Sequence, residues 1–159
     1  MKNILVPTDF SESATAALDQ AAKLARLTGG RLTLLHVLYI DKIRENLLGL
    51  DALEHLARAI DSPGDPASHS SAGAAWRLRD AAQQKLAEAV AAISAPPAVQ
   101  TAIAEGRPSA EIVAYAAEHG VDLIVMGTHG RGTLGRAFLG SVADNVIRQA
   151  ACPVMVVRR

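Results

Sequence analysis

The stretch "VDLIVMGTHGRGTLG", Val121 to Gly135, joins an unbroken apolar run to a glycine-rich one, and its reading decides the fold. The apolar half suits a strand covered on both faces of a sheet. The second half contains G-x-G-x-x-G at Gly130, Gly132 and Gly135, the spacing of a dinucleotide-binding turn. That turn belongs directly after the first strand, with an acidic residue roughly 20 positions further on. Here the glycines follow the fourth apolar run, and the chain about 20 residues beyond Gly135 reads "PVMVV", without a carboxylate. After the first run it reads "VPTDFSES", with no glycine. The dinucleotide match is accidental, and the glycines need another explanation.

Outward from this stretch, short β-branched runs alternate with Ala-rich helical ones. "NILVP" (Asn3 to Pro7) is a strand, and "SATAALDQAAKLARLTG" repeats Ala and Leu at helical spacing before stopping at Gly29-Gly30. "RLTLLHVLY" is a second strand; "AWRLRDAAQQKLAEAVAAI" is a helix halted by Pro96-Pro97. "VQTAIAEG" is a third strand, and Pro108 opens the helix "SAEIVAYAAEHG". "VDLIVMG", "SVADNVIRQA" and "CPVMVVRR" complete the order as strand, helix and strand. Continuous apolar strands separated by helices predict an α/β fold, an open five-stranded parallel sheet with helices on both faces. The whole chain, 1–159, reads as a single domain. One segment departs from the alternation, a variable insert at about 40–75. Its first part sets Ile43, Leu47, Leu50, Leu53 or Leu56, and Ile60 along one helical face, and "DSPGDPASHSSAG" reads as a loop. That insert is either a lid or docking helix, or a helix patched onto the sheet edge.

Composition narrows the function. Sixteen basic residues balance 16 acidic ones, so no strong field draws the chain to nucleic acid or to a membrane. The opening "MKNILVPTDF" is too short and polar for a signal peptide, and no run of about 18 apolar residues offers a membrane span. A soluble, cytoplasmic protein is expected. Cys152 is the only cysteine, which excludes an internal disulfide and a Cys-based zinc site, and it reads as a small apolar residue entering a strand. His36, His55, His69 and His119 show no metal-ligand spacing and are expected to have structural or solvent roles.

A longer frame accounts for the glycines. Gly127 ends the fourth strand, Gly130 follows after two residues, and Gly140-Ser141 follow after nine more, where a helix begins. Glycines let backbone N–H groups approach an anion, and a helix N-terminus adds unpaired N–H groups and the positive end of its dipole. Ser141 could add its hydroxyl to a phosphate or to a metal held there. Alternatively, with Asp144 three residues on, it caps its own helix. For Asp9 the choices are a binding carboxylate or, with Ser11, a cap on the first helix.

The frame G-x2-G-x9-G-S resembles the ATP-binding motif of the universal stress protein family. "NILVPTDFSESATAAL", "DLIVMGTHGRG" and "LGSVADNVIRQAACPVMVV" are similar to that family's opening and closing segments, and the resemblance covers the chain apart from roughly 40–75. It implies a Rossmann-like fold with strand order 3-2-1-4-5, so that strands 1 and 4 flank a crevice, the switch point where such folds bind ligands. It implies ATP, with Mg held through the phosphates, in that crevice. Asp9 is then the ribose partner, with Pro7 and Thr8 shaping the adenosine side. Val37 contacts adenine, and Met126 supplies a second wall. Gly127, Thr128, His129, Gly130, Arg131, Gly140, Ser141 and Val142 form the phosphate loop. The resemblance also implies a homodimer paired through the last strand, Val154 to Val157. The expected function is a nucleotide-binding stress-response regulator that signals to a protein partner or through the dimer surface. A slow or partner-dependent ATPase or nucleotidyl- or phosphoryl-transfer enzyme is the alternative. The chain contains no Walker G-x4-G-K-[ST] motif and no identifiable Ser-His-Asp or Cys-His constellation. A phospho-acceptor receiver would want an Asp ending strand 3, where Glu105 stands.

Overall fold

The computed structural model describes residues 2–39, 71–93, 98–128 and 139–158, so the stretch 40–70 of the insert and residues 129–138 lie outside the described residues. The elements run β1 (Asn3–Pro7), α1 (Glu12–Thr28), β2 (Arg31–Leu38), α2 (Ser71–Ala91), β3 (Val99–Glu105), α3 (Pro108–Glu118), β4 (Leu123–Gly127), α4 (Ser141–Gln149) and β5 (Val154–Val157). The five strands form one sheet in the order β3-β2-β1-β4-β5, parallel at every pairing. Strand order and direction agree with the expectation. The second helix starts earlier than its periodicity suggests, at Ser71 rather than Ala75, so the last residues read as loop are helical.

Alternation along the strands builds two cores. Ile4 and Val6 of β1, Leu32 and Leu34 of β2, and Leu123 and Val125 of β4 pack with α1 and with Leu86 of α2 on one face. Leu5, Leu35, Ile124 and Met126 point to the other face, against Ile112 and Ala116 of α3 and Ala143 and Val146 of α4. Both faces are covered, which is why these strands read as continuous apolar runs. The side of α1 that meets the sheet is almost all alanine, with Ala14, Ala17, Ala21, Ala22 and Ala25 buried. Small side chains bring this helix close to the strands, and few aromatics are needed to fill the space. The helix stops at Gly29, whose φ of 63° is left-handed, a conformation glycine adopts without steric cost. Cys152 is partly buried against the second core, where burial pushes its thiol pKa up, in keeping with a packing role.

At the amino end of the sheet, Asp122 ties β4 to β1. Its Oδ2 accepts from the Lys2 N–H at 2.6 Å and the Asn3 N–H at 2.9 Å. These two bonds hold the carboxyl below its usual 3.8, although the group is exposed.

Leu34 is completely buried, so Leu34→Ala should lower the unfolding free energy by about 2–5 kcal/mol in a urea titration. Leu27→Ala, at a side chain 83% exposed, should change it by less than about 0.5 kcal/mol. For Asp122, a lowered folded pKa means a stabilising contribution that is present above the unfolded value and lost as pH falls through the folded one. Asp122→Asn should therefore be less stable than wild type at neutral pH. The gap should close as the pH drops below about 4, as read by thermal melts across an acid series. A gap that persists at low pH would contradict the two-bond account.

Candidate functional site

The winding direction reverses between β1 and β4, which sit side by side in the middle of the sheet. At their carboxyl ends the chain leaves in opposite directions and opens a cleft of about 390 Å³. Pro7, Thr8 and Asp9 line it from the end of β1 and the turn after it, Val37 from β2, Met126, Gly127 and Thr128 from the end of β4 and the residue after it, and Gly140, Ser141 and Val142 from the cap and first turn of α4. These are ten of the thirteen candidate residues. His129, Gly130 and Arg131 lie outside the described residues.

The loop from β1 to α1 satisfies its own backbone. The Thr8 N–H donates to the Leu35 carbonyl at 2.8 Å, extending the β1–β2 ladder by one residue. The Phe10 N–H donates to Thr8 Oγ1 at 3.0 Å, and the Ser11 N–H to Asp9 Oδ1 at 3.0 Å. Ser11 is the helix cap, its Oγ accepting from the Ala14 N–H at 3.3 Å. Asp9 is thus not the cap of α1. Its carboxylate fixes the turn and lines the cleft. The turn has a cost, because Phe10 sits at φ 62°, the single non-glycine positive φ among the described residues. A bulky residue held there costs about 1–3 kcal/mol, which its surroundings must offset.

The other wall differs. Gly140, with extended backbone, is the cap of α4 and has no side chain to offer, so Ser141 is the first helical residue and not the cap. The capping-box reading of Ser141 and Asp144 is therefore corrected. Asp144 instead pairs with Arg148 one turn on, an exposed ion pair worth little. No cap side chain accepts from the first-turn N–H groups of α4, and that turn lines the cleft. The Gly140 N–H donates to the Thr128 carbonyl at 2.7 Å, and the Thr128 N–H to the Val157 carbonyl at 3.2 Å. Both ends of the glycine segment are thereby anchored to the sheet.

Gly127 has a reason to be glycine other than ligand approach. A Cβ built there would lie 2.7 Å from the Ser13 backbone carbon and 2.8 Å from its Cβ. The missing side chain lets the end of β4 lie against the first turn of α1.

Several lining residues escaped the sequence reading: Ser13, Ala14, Leu35, His36, Pro108, Ile112 and Ala143. Pro108 and Ile112 belong to α3, which returns from the end of β3 to the same edge. The strand register would have placed them, had the register been known. His36 is the neighbour of Val37, but no spacing marked it. Its Nδ1 lies 2.8 Å from the Thr8 carbonyl oxygen, and a carbonyl only accepts, so Nδ1 carries the hydrogen. Asp9 and His36 are the titratable side chains among the described residues lining the cleft.

The universal stress protein family model matches residues 1–158. The chain belongs to the universal stress protein family. Among curated relatives, the universal stress protein MJ0577 of Methanocaldococcus jannaschii is 33% identical over 168 residues, covering 99% of this chain and 95% of its own. Universal stress protein YxiE of Bacillus subtilis is 32% identical over 155 residues, covering 98% and 97%. Of solved structures, the universal stress protein UspA of Lactobacillus plantarum superposes with a TM-score of 0.67 at 28% identity, covering 99% of this chain and 97% of that one. A universal stress protein of Archaeoglobus fulgidus in complex with dAMP gives 0.60 at 22% identity, covering 98% and 97%, which is a likeness of fold.

The Gly127 contact generates its own test. Gly127→Ala should cost about 1–3 kcal/mol by overpacking against Ser13, read as a lowered midpoint in urea. A second change, Ser13→Gly, should recover part of that loss by clearing the Ser13 side chain from the new methyl group. Full stability of Gly127→Ala would contradict the close approach.

Proposed function

We propose that this universal stress protein is a nucleotide-binding regulator that holds Mg-ATP across the cleft. The observation that carries the reading is the order of chemistry along the sheet edge. Apolar Val37, Pro108 and Ile112 stand at the β2 and α3 end, Asp9 in the middle at β1, and the open N-terminus of α4 beyond β4. An adenosine nucleotide presents a flat apolar base, then ribose hydroxyls that donate to a carboxylate, then anionic phosphates. In this placement adenine lies against Val37 and Met126, and the ribose hydroxyls donate to Asp9. The phosphates accept from the N–H groups of Ser141 and Val142 and from the segment carrying His129, Gly130 and Arg131. Backbone N–H groups at the start of α4 and a Mg2+ ion neutralise the phosphates in this reading, with the Ser141 hydroxyl offered to either.

Elsewhere in the family, the Archaeoglobus fulgidus protein noted above was solved with dAMP, and another universal stress protein was solved with cAMP. We read the cleft as a binding site ahead of a transfer site, because among the described lining residues His36 Nδ1 is already engaged with the Thr8 carbonyl and Asp9 Oδ1 with the Ser11 N–H. Occupancy is read by a protein partner or by a second copy of the chain. The second copy pairs along β5, the sheet edge on which Met155 is 40% exposed.

Calorimetric titration of nucleotide-stripped protein tests the reading. ATP with Mg should bind saturably and more tightly than ADP or AMP. Asp9→Asn should weaken it by about tenfold, the loss of a charge-assisted hydrogen bond. No saturable binding, or equal affinity for adenosine and ATP, would refute the phosphate site. ADP release above background that vanishes in Asp9→Ala would favour the transferase or ATPase reading instead. Light scattering at micromolar concentration should give a dimer, and Met155→Lys should shift it toward monomer.

A further inference from the structure

We propose that His36 is the positioning residue of this site: it holds the loop that carries Thr8 and Asp9 in its binding conformation, through a hydrogen bond to the Thr8 carbonyl and packing on Phe10. The proposal deepens the reading of the cleft as a nucleotide site and rests on it for its ligand. Four observations converge. The Thr8–Ser11 turn uses its own groups for the Phe10 and Ser11 N–H donors, which leaves the Thr8 carbonyl to be met from outside the loop. His36 Nδ1 meets it at 2.8 Å, from a strand already paired to β1 through the register Pro7↔Leu35. The imidazole also packs on the Phe10 ring, with centroids 4.6 Å apart and planes tilted by 35°. Phe10 is the residue held at φ 62°, and Lys85 of α2 lies over its ring, 5.7 Å from the centroid.

A strained backbone persists only where its surroundings over-determine it. Here the surroundings grip both sides of the strained residue: His36 takes the carbonyl two positions before Phe10 and also takes its ring. Released from His36, Phe10 can relax toward negative φ. Asp9 immediately precedes it, so such relaxation redirects the carboxylate assigned to the ribose. His36 thereby acts on the ligand through Thr8 and Asp9.

Two substitutions separate the donor from the ring. His36→Phe keeps a ring for Phe10 and removes the donor. His36→Asn removes the ring and places an amide N–H near the position of Nδ1. The first measurement needs no ligand: amide hydrogen exchange of Phe10 and Ser11, followed by NMR alongside the thermal midpoint. His36→Phe should speed exchange at these two amides by about tenfold or more, while core amides of Leu34 and Val125 and the midpoint stay near wild type. His36→Asn should restore most of the protection. In the second measurement, calorimetry, His36→Phe should weaken Mg-ATP by about tenfold, and its effect should be largely absent in an Asp9→Asn background. Exchange in His36→Phe equal to wild type, or equal loss in both variants, overturns the proposal. So does full additivity with Asp9→Asn. If the wild-type protein fails to bind ATP, the nucleotide reading falls, while the exchange result still decides whether His36 holds the loop.

Discussion

A missing Cβ at Gly127 lets the carboxyl end of β4 lie against the first turn of α1, and the geometry of the cleft depends on that contact. β4 pairs with β1 at the point where the sheet reverses its winding, so the end of β4 and the start of α1 must share one small space. Side chains at both positions would push α1 away from the strands and pull its alanine face out of the core. With glycine on one side and serine on the other, the β1–α1 turn, the end of β4 and the start of α4 meet around one cleft. Each helix that begins there brings the positive end of its dipole. These helix starts offer backbone N–H groups to the cleft in a chain with no formal net charge.

The helix starts around that crevice are not equivalent. α1 is capped by Ser11, so part of its hydrogen-bonding capacity is satisfied within the protein. α3 begins with Pro108, which has no N–H to give, after Arg107, whose side chain makes no capping bond. α4 begins after Gly140, and nothing on that residue accepts from its first turn. Of the three, α4 is the one whose cap residue has no side chain at all, and its first turn lines the cleft. In the proposed reading this asymmetry gives the cleft a direction, with the phosphates at the α4 end and the base at the α3 end.

Much of this was legible in the sequence, for identifiable reasons. Strands buried on both faces write themselves as unbroken runs such as "LIVM", and alanine-rich helices ending at Gly29 or starting at Pro108 punctuate themselves. The strand order came from family resemblance, since periodicity carries no information about which strands are neighbours. Ten candidate residues line one cleft because the frame that selected them spans the ends of adjacent strands. Two local roles were open in the sequence, and the structure separates them: Ser11 caps α1, leaving Asp9 to the turn, and Gly140 displaces Ser141 as the α4 cap. A serine near a helix start reads the same one residue either way, so only backbone geometry distinguishes cap from first turn. His36 was passed over because its task lies in a contact with Thr8, 28 residues away, and no local pattern records such a contact. Gly127 was singled out on other grounds, since a glycine needed for packing looks like one needed for a phosphate.

In the proposed reading one ligand bridges the ends of β1, β4 and α4. Amide chemical-shift mapping on adding Mg-ATP to isotope-labelled protein tests it most directly. Shifts should concentrate at Thr8, Asp9, Val37, Gly127, Thr128 and the Ser141–Ala143 turn, with little change at the amino end of the sheet around Asp122. Saturable shifts gathered elsewhere, or none at the start of α4, would contradict it.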